Sequence, residues 1–347
     1  MGLNIKDIIP RKELEISELK GKIVCVDAFN TLYQFISTIR QPDGTPLMDS
    51  QKRITSHLSG IFYRNIALLS EGIKLVYVFD GKAPKLKQRT WKERKENRDL
   101  AQERYASAKQ EEDFALMKRY SSQLIRLDDN MIKEAKELLD AMGIPVVQAP
   151  SEGEAEAAYL CRKHENVFAS VSQDYDSLLF GTKRLIRNLA LSRKKKTSGG
   201  LWVEVKPEII ELEKVLNTLG IDLDQLICLG ILVGTDYNPK GIPGIGQKKS
   251  LEIVQKYKQP VLIFESVKEK ISALPEEDQF DWTEIFELFK KHEVEDSTFK
   301  FKRPDEKKIL QLLVEEHSFS EERIQTQLDK LKKVSERNNQ KGLDKWF

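Results

Sequence analysis

Two closely spaced carboxylate pairs stand out in the chain, Glu152 with Glu154 and Asp174 with Asp176. The first opens a helical pattern, Ser151-Glu152-Gly153-Glu154-Ala155-Glu156-Ala157-Ala158, and the second follows the strand-like run Val167-Phe168-Ala169-Ser170-Val171-Ser172. Carboxylates gathered at one place repel one another, so a site that collects them needs positive charge. Hard divalent ions such as Mg2+ take oxygen ligands and answer that need.

Each pair also has a plain structural account. Ser151 followed three residues later by Glu154 has the form of a capping box, and acids in a first helical turn complement the helix dipole. Residues two apart on a helix face different sides, so both glutamates serve one ion cluster only if it lies over the helix start. Asp174 and Asp176 have the form of turn residues after a strand. The metal reading therefore depends on further acids reaching the same place.

The surrounding elements deliver them. Ile23-Val24-Cys25-Val26 is a continuous apolar, β-branched run of the kind that forms a buried parallel strand, and it ends at Asp27. Leu75-Val76-Tyr77-Val78-Phe79 repeats the pattern and ends at Asp80; Val146-Val147 precedes Glu152, and Val171 precedes Asp174. Open α/β sheets carry their sites outside the carboxyl ends of the strands, so these acids are expected to converge on one edge. Repetition at four strand ends favours metal binding over isolated caps and turns. Asn30 to Ile39, about Ser50 to Ser70, Ile209 to Leu219 and Leu223 to Val233 read as helices, the last leading to Gly234-Thr235-Asp236-Tyr237, where Asp236 is a seventh candidate ligand. Leu185-Ile186-Arg187 and Leu201 to Val205 read as strands around an exposed loop holding Lys194-Lys195-Lys196 and Ser198-Gly199-Gly200. The expected fold class is α/β, with a mostly parallel central sheet flanked by helices.

Between Gly81 and about Asn130 there is no strand signal. Eight basic residues, Lys82, Lys85, Lys87, Arg89, Lys92, Arg94, Lys95 and Arg98, stand against Glu93 and Glu96. Such runs commonly form solvated helix faces. This one begins beside Asp80, and Lys87 and Arg94 are seven apart, two helical turns, so both point at one phosphate path. Gly241-Ile242-Pro243-Gly244-Ile245-Gly246-Gln247-Lys248-Lys249-Ser250 then forms a glycine turn before a helix through Lys256. Its backbone N–H groups and lysines suit a phosphate, whereas no strand precedes it to make a dinucleotide fingerprint. Glu265 to Lys333 is helical in pattern and highly charged, and carries no evident chemistry.

With 347 residues the chain has enough length for a sizeable core, and a net charge of +2 confines any nucleic-acid surface to local patches. Cys25, Cys161 and Cys228 lie in apolar patterns, and His57, His164, His292 and His317 are scattered, which argues against disulfides and zinc. No apolar run is long enough to span a bilayer, and the charged start lacks the form of a signal peptide. Lys6 stands where a myristoylation motif needs Ser or Thr. The polar tail from Ser335 ends in Gln340-Lys341-Gly342-Leu343-Asp344-Lys345-Trp346-Phe347, a hydrophobic plug suited to a partner.

Taken together, Val26-Asp27-Ala28, Val78-Phe79-Asp80-Gly81-Lys82, Ala149-Pro150-Ser151-Glu152-Gly153-Glu154-Ala155, Asp174-Tyr175-Asp176, Gly234-Thr235-Asp236-Tyr237 and the glycine turn closely resemble the flap endonuclease family. These are structure-specific 5' nucleases of the XPG-like superfamily, and the likeness is to the archaeal branch. It covers essentially the whole chain. It implies a PIN-like 5' nuclease fold with one nuclease domain over 1–333: an N-terminal part (1–98), a helical arch (about 82–130), and an internal part (about 122–258) holding a helix-hairpin-helix (about 226–257). A helical C-terminal region and a flexible tail, 334–347, follow. The tail resembles a motif that binds the sliding clamp PCNA, with Gln340, Leu343, Trp346 and Phe347 in place.

The resemblance also implies roles. Asp27, Asp80, Glu152, Glu154, Asp174, Asp176 and Asp236 would be catalytic and hold two Mg2+ ions, with Mn2+ as a substitute. Lys87 and Arg94 would be the catalytic basic pair of the arch. Tyr33 would stack near the scissile nucleotide, and the helix-hairpin-helix (Gly241, Gly244, Gly246, Lys248, Lys249) would grip duplex DNA and hold K+. Gly2, Arg40, Lys82 and Lys85 complete the expected DNA contacts. Asn30 and Phe29 stand where relatives vary, Gly153 stands between the glutamates and Trp346 where many relatives have Phe; none of these is expected to touch the acids, and the basic extension of eukaryotic relatives is absent. The implied activity is metal-dependent cleavage at the junction of a 5' flap with duplex DNA, with 5'-3' exonuclease action at nicks or gaps, in Okazaki-fragment maturation and base excision repair. The expected setting is a cytoplasmic, nucleoid-associated monomer. A two-ion mechanism places the ions roughly 4 Å apart around the scissile phosphate. One alternative is a non-catalytic DNA-binding adaptor for the clamp. A second, a haloacid-dehalogenase-type phosphatase, needs an aspartate where Phe29 stands.

Overall fold

The structure, a computed structural model, describes the chain except residues 1–2, 42–43, 112, 114–115, 117–119, 122–123, 125, 190–193, 197–201 and 344–347. Side chains are described apart from those of 88–95, 97, 109, 194–196, 202–203 and 334–343. The strands are β1 (Lys12–Glu13), β2 (Ile23–Asp27), β3 (Lys74–Phe79), β4 (Val146–Gln148), β5 (Val167–Val171), β6 (Arg184–Arg187), β7 (Lys194–Lys196), β8 (Trp202–Glu204) and β9 (Glu208–Glu211). Seven of them form one sheet in the order β1-β9-β6-β5-β2-β3-β4, with β7 and β8 as a separate hairpin. The pairs from β4 to β6 across the centre are all parallel, and only β9 adds antiparallel neighbours at one edge.

The apolar runs bury both faces by alternation. Val24 and Val26 of β2 and Leu75, Tyr77 and Phe79 of β3 share a cluster with Leu32, Phe35, Leu138 and Leu313. Cys25, Val76 and Val78 belong instead to a cluster with Ala157 and Leu160. A further apolar body joins the helix Leu223–Val233 to Val254, Ile263, Phe264, Ile285 and Phe289. A period of two with both faces covered is what a parallel sheet between helices demands. The chain passes from β2 to β3 and β4 on one side and returns to β5 on the other, so the order reverses at β2 and β5. Ligand sites in such sheets form at that reversal.

Several expectations are corrected. Ile209 and Ile210 extend as β9, against Ile186 and Leu185 of β6, and the helix begins only at Leu212. An available strand edge turned a helix-compatible apolar pair into a strand. The loop lysines 194–196 are themselves a strand, paired with β8. Asp49 accepts the Gln51 and Arg53 N–H groups, both at 2.9 Å, and this side-chain turn delays the helical run to Ser56–Ser70. Residues 291–305 are an irregular strap, with the Glu295 N–H donating to Glu156 at 2.9 Å and the Lys302 N–H to the Gly143 carbonyl at 3.3 Å. The helix Glu321–Leu343 continues past Lys333 into the segment read as a tail. The three cysteines are free and buried, as expected. Among the described residues no single helix is long and apolar enough to cross a membrane.

Candidate active site

Each acid owes its place to the element that ends or begins there. Asp27 closes β2 and caps the helix Ala28–Thr38, its Oδ1 accepting the Asn30 N–H at 3.1 Å. Asp80 follows β3 and accepts the Gly153 N–H at 2.7 Å. Glu152 is the N-cap residue of the helix Gly153–Lys163 and Glu154 lies in its first turn, so both sit over the helix start. The capping-box account fails. Ser151 is not the cap, Glu152 makes no side-chain cap bond, and the Glu154 carboxylate instead accepts from Ser172 Oγ at 2.7 Å and Ser177 Oγ at 3.1 Å.

Asp174 lies on the bend after β5 and accepts from Asn30 Nδ2 at 2.8 Å. Asp176 opens the short helix Asp176–Leu179 and is buried. Asp236 arrives from the other body, after the helix Leu223–Val233, where Gly234 turns the chain at φ +116°. A Cβ there would stand 2.9 Å from the Gly241 nitrogen, so both the turn and the close approach require glycine. Lys87 crosses between the bodies: its Nζ donates to Glu152 and lies 3.5 Å from Asp236.

The electrostatics follow from crowding and burial. Asp27 is pushed up to about 8, by burial first and then by Asp80 and Asp174, with the Asn30 N–H opposing. Burial likewise raises Asp80, with Asp236 adding to it while Lys87 and Gly153 oppose. Glu154 is raised by burial, Asp27, Asp176 and Asp174; Asp176 is raised by burial, Asp236 and Asp174. Burial raises Glu152 too, against the pull of Lys87. For Lys87 burial works downward, but Glu152, Asp236 and Asp80 prevail and hold the ammonium charged, above its ordinary value.

Among the described residues no three His, Cys, Asp or Glu side chains converge on one point at coordination distance. The chemistry of the donors nevertheless fits hard cations, since the acids offer buried oxygens whose mutual repulsion a divalent ion relieves.

The expected nucleic-acid residues divide. Tyr33 is exposed on the helix that Asp27 caps, and Lys82, Lys85, Lys248 and Lys249 are exposed. Gly244 and Gly246 face open space, whereas Gly241 packs against the Val233 carbonyl. Arg40 is turned inward, donating to the carbonyls of Ile36, Ser37 and Gly44 and to Ser121. Lys87 ends a 3-10 turn, Lys85–Lys87, just before the helix Gln88–Gln110, so it and Arg94 are not two turns apart on one helix. The side chains of Arg94, Gln340 and Leu343, and all of Gly2, Trp346 and Phe347, lie outside the described residues. Beside Glu152 a cavity of about 340 Å³ opens among Lys82, Lys85, Lys291 and His292. Ser172 and Ser177 carried no readable signal, because a serine hydroxyl reaching carboxylates has no spacing pattern; Tyr237, noted only as part of the motif around Asp236, joins the site with its ring 5.8 Å from Lys87 Nζ.

Family models for the XPG N-terminal domain and the XPG I-region match residues 4–101 and 143–236. Flap endonuclease 1 of Thermococcus onnurineus is 50% identical, over 100% of this chain and 99% of that protein. The chain belongs to the flap endonuclease family. The flap endonuclease 1 of Pyrococcus furiosus is 49% identical over 100% of this chain and 99% of its own length. The solved flap endonuclease-1 from Methanococcus jannaschii has a TM-score of 0.76 at 38% identity, covering 97% of this chain and 100% of that one. The catalytic core of Rad2, solved with a DNA substrate, shares the fold with a TM-score of 0.69 at 24% identity, over 95% of this chain and 100% of that one. Flap endonucleases are metal-dependent, structure-specific nucleases, so this chain is a DNA-processing hydrolase, and the non-catalytic adaptor is set aside.

Proposed function

We propose that Asp27, Asp80, Glu152, Glu154, Asp174, Asp176 and Asp236 hold two Mg2+ ions, replaceable by Mn2+, and that the chain cleaves DNA at the junction of a 5' flap with duplex. The observation that carries this reading is the delivery of buried and half-buried acids from four parallel strand ends to one edge of the sheet, with the Lys87 ammonium already among them. Bound there, the ions would supply a water of lowered pKa and a Lewis acid for the leaving 3' oxygen.

The chain's own groups do the rest. Lys87 sits on a turn beside the exposed Lys82 and Lys85, so it can leave the acids for the scissile phosphate and, with Arg94, steady its charge. Tyr33, exposed on the helix that Asp27 caps, offers a ring for an unpaired base. Burial of the acids means that the terminal base pair must open before its phosphate reaches them. Gly244 and Gly246, open to solvent before the helix Gln247–Tyr257, would approach duplex phosphates with charge added by Lys248 and Lys249, and the same turn would hold K+. The cavity beside Glu152, lined by Lys82, Lys85, Lys291 and His292, would receive the displaced strand. Gln340, Leu343, Trp346 and Phe347 bind PCNA, and the chain works as a monomer in the cytoplasm at replication sites. The arch (about 82–130) and the helix-hairpin-helix (about 226–257) are taken with the boundaries read from the sequence, whereas the tail start at 334 gives way to the helix Glu321–Leu343.

The test compares a labelled 5'-flap duplex, a blunt duplex and a free single strand, with Mg2+ or EDTA. Flap-selective cutting near the junction that EDTA abolishes is the expected result. Equal cutting of all three, or cutting that survives EDTA, overturns the reading.

A further inference from the structure

Asn30 and Gly153 are not expected from the sequence to touch the acids, but both do: the Gly153 N–H donates to Asp80, and Asn30 reaches two carboxylates. Asn30 is the third residue of the helix that Asp27 caps, and its backbone N–H donates to Asp27 Oδ1 at 3.1 Å. Its side chain crosses to the bend after β5. There Oδ1 accepts the Gln173 N–H at 3.2 Å and Nδ2 donates to Asp174 Oδ2 at 2.8 Å. The two ends of an amide are assigned by their partners, and here the partners leave no choice. A backbone N–H only donates and a carboxylate only accepts, so the oxygen faces Gln173 and the nitrogen faces Asp174.

The consequence is geometric. Asp27 and Asp174 stand at the ends of adjacent parallel strands, paired through Val26 and Val171. Asp27 is held by the strand and the cap, but Asp174 lies on a bend, where the backbone alone fixes it less well. One residue, through three hydrogen bonds, ties the second carboxylate to the first. Ser172 supports the same bend, its Oγ accepting the Asp174 N–H at 3.2 Å.

We infer that Asn30 is a positioning residue that sets the spacing of the divalent ions by fixing the Asp174 carboxylate relative to Asp27. It acts through carboxylates and touches no substrate. This rests on the acid-site reading proposed above. Groups that orient metal-binding carboxylates typically change affinity or activity by about 10- to 100-fold when removed.

The test uses the full chain with Asn30→Leu and Asn30→Ala, which delete the amide, and Asn30→Gln, which restores it one methylene further out. Mn2+ binding is read by electron paramagnetic resonance, melting in EDTA checks the fold, and flap cleavage is measured over a range of Mg2+. Both deletions are expected to weaken Mn2+ binding and raise the half-saturating Mg2+ by about 10-fold or more, with KM for the flap unchanged and melting in EDTA preserved. Asn30→Gln should recover part of the loss. Wild-type Mn2+ binding in the deletions overturns the inference, as does a loss that merely tracks a fall in melting temperature. Asp174→Ala separates the two claims. If it binds Mn2+ as the wild type does, the acid-site reading fails; if it loses Mn2+ while the Asn30 variants do not, only the positioning role fails.

Discussion

The Gly153 N–H donates to Asp80 Oδ1 at 2.7 Å, and a Cβ built on Gly153 would stand 2.5 Å from that same oxygen. The glycine between the two glutamates is therefore what lets the helix start close on the strand end, joining Asp80 to Glu152 and Glu154. Gly153→Ala forces one of them to move. Its flap cleavage is expected to fall by about 10- to 100-fold, with a matching rise in the Mg2+ required. Unchanged turnover across a Mg2+ titration would show that the contact is incidental.

Lys87 is bound to Glu152 and near Asp236, yet sits on a short turn at the base of the basic helix. If its work is to stabilise charge on the scissile phosphate, Lys87→Ala should lower single-turnover cleavage by about 100-fold and leave flap affinity nearly intact. A loss confined to affinity, and steeply dependent on salt, would make Lys87 an ordinary phosphate contact.

Away from the acids, His317 lies 3.2 Å from Asp49 Oδ2 and 3.3 Å from Glu134 Oε1, and His57 approaches Glu134 at 3.4 Å. Contact with Glu134 raises His317 above its ordinary value, against burial, with Asp49 adding to it and Arg53 opposing. Burial would raise Glu134, but His317 and His57 bring it down to about 2. The histidine's contribution to stability is thus complete below its ordinary pKa near 6.5 and is lost as pH rises through its folded value; the glutamate's is present above 4.5 and lost as pH falls toward 2. The melting temperature of His317→Gln should therefore fall less than that of the wild type between pH 6 and pH 9. Identical slopes would remove His317 from the pH response.

The clamp motif is tested by deletion. Removing Gln340 to Phe347 should abolish measurable affinity for PCNA in calorimetry and leave clamp-independent flap cleavage unchanged. Undiminished affinity would locate clamp binding elsewhere.

Much of this site was legible in the one-dimensional chain. Apolar β-branched runs ending at Asp27 and Asp80 specify buried parallel strands, and a parallel sheet of this kind collects its strand ends on one edge, so the acids could be gathered without coordinates. The glycine turn before Gln247 was readable too, because glycine and a helix start are local features. Tertiary structure decided what depends on neighbours. Ile209 and Ile210 became a strand because β6 offered an edge, and Glu154 forms no capping box because the helix starts from Glu152 rather than Ser151, leaving its carboxylate to accept from Ser172 and Ser177. Arg40 turned inward to satisfy carbonyls at the end of its helix. The tie from Asn30 to Asp174 spans 144 positions, and no spacing rule reaches that far. Residue type and period determine which elements form, whereas hydrogen-bond partners distant in the chain exist only once those elements have packed.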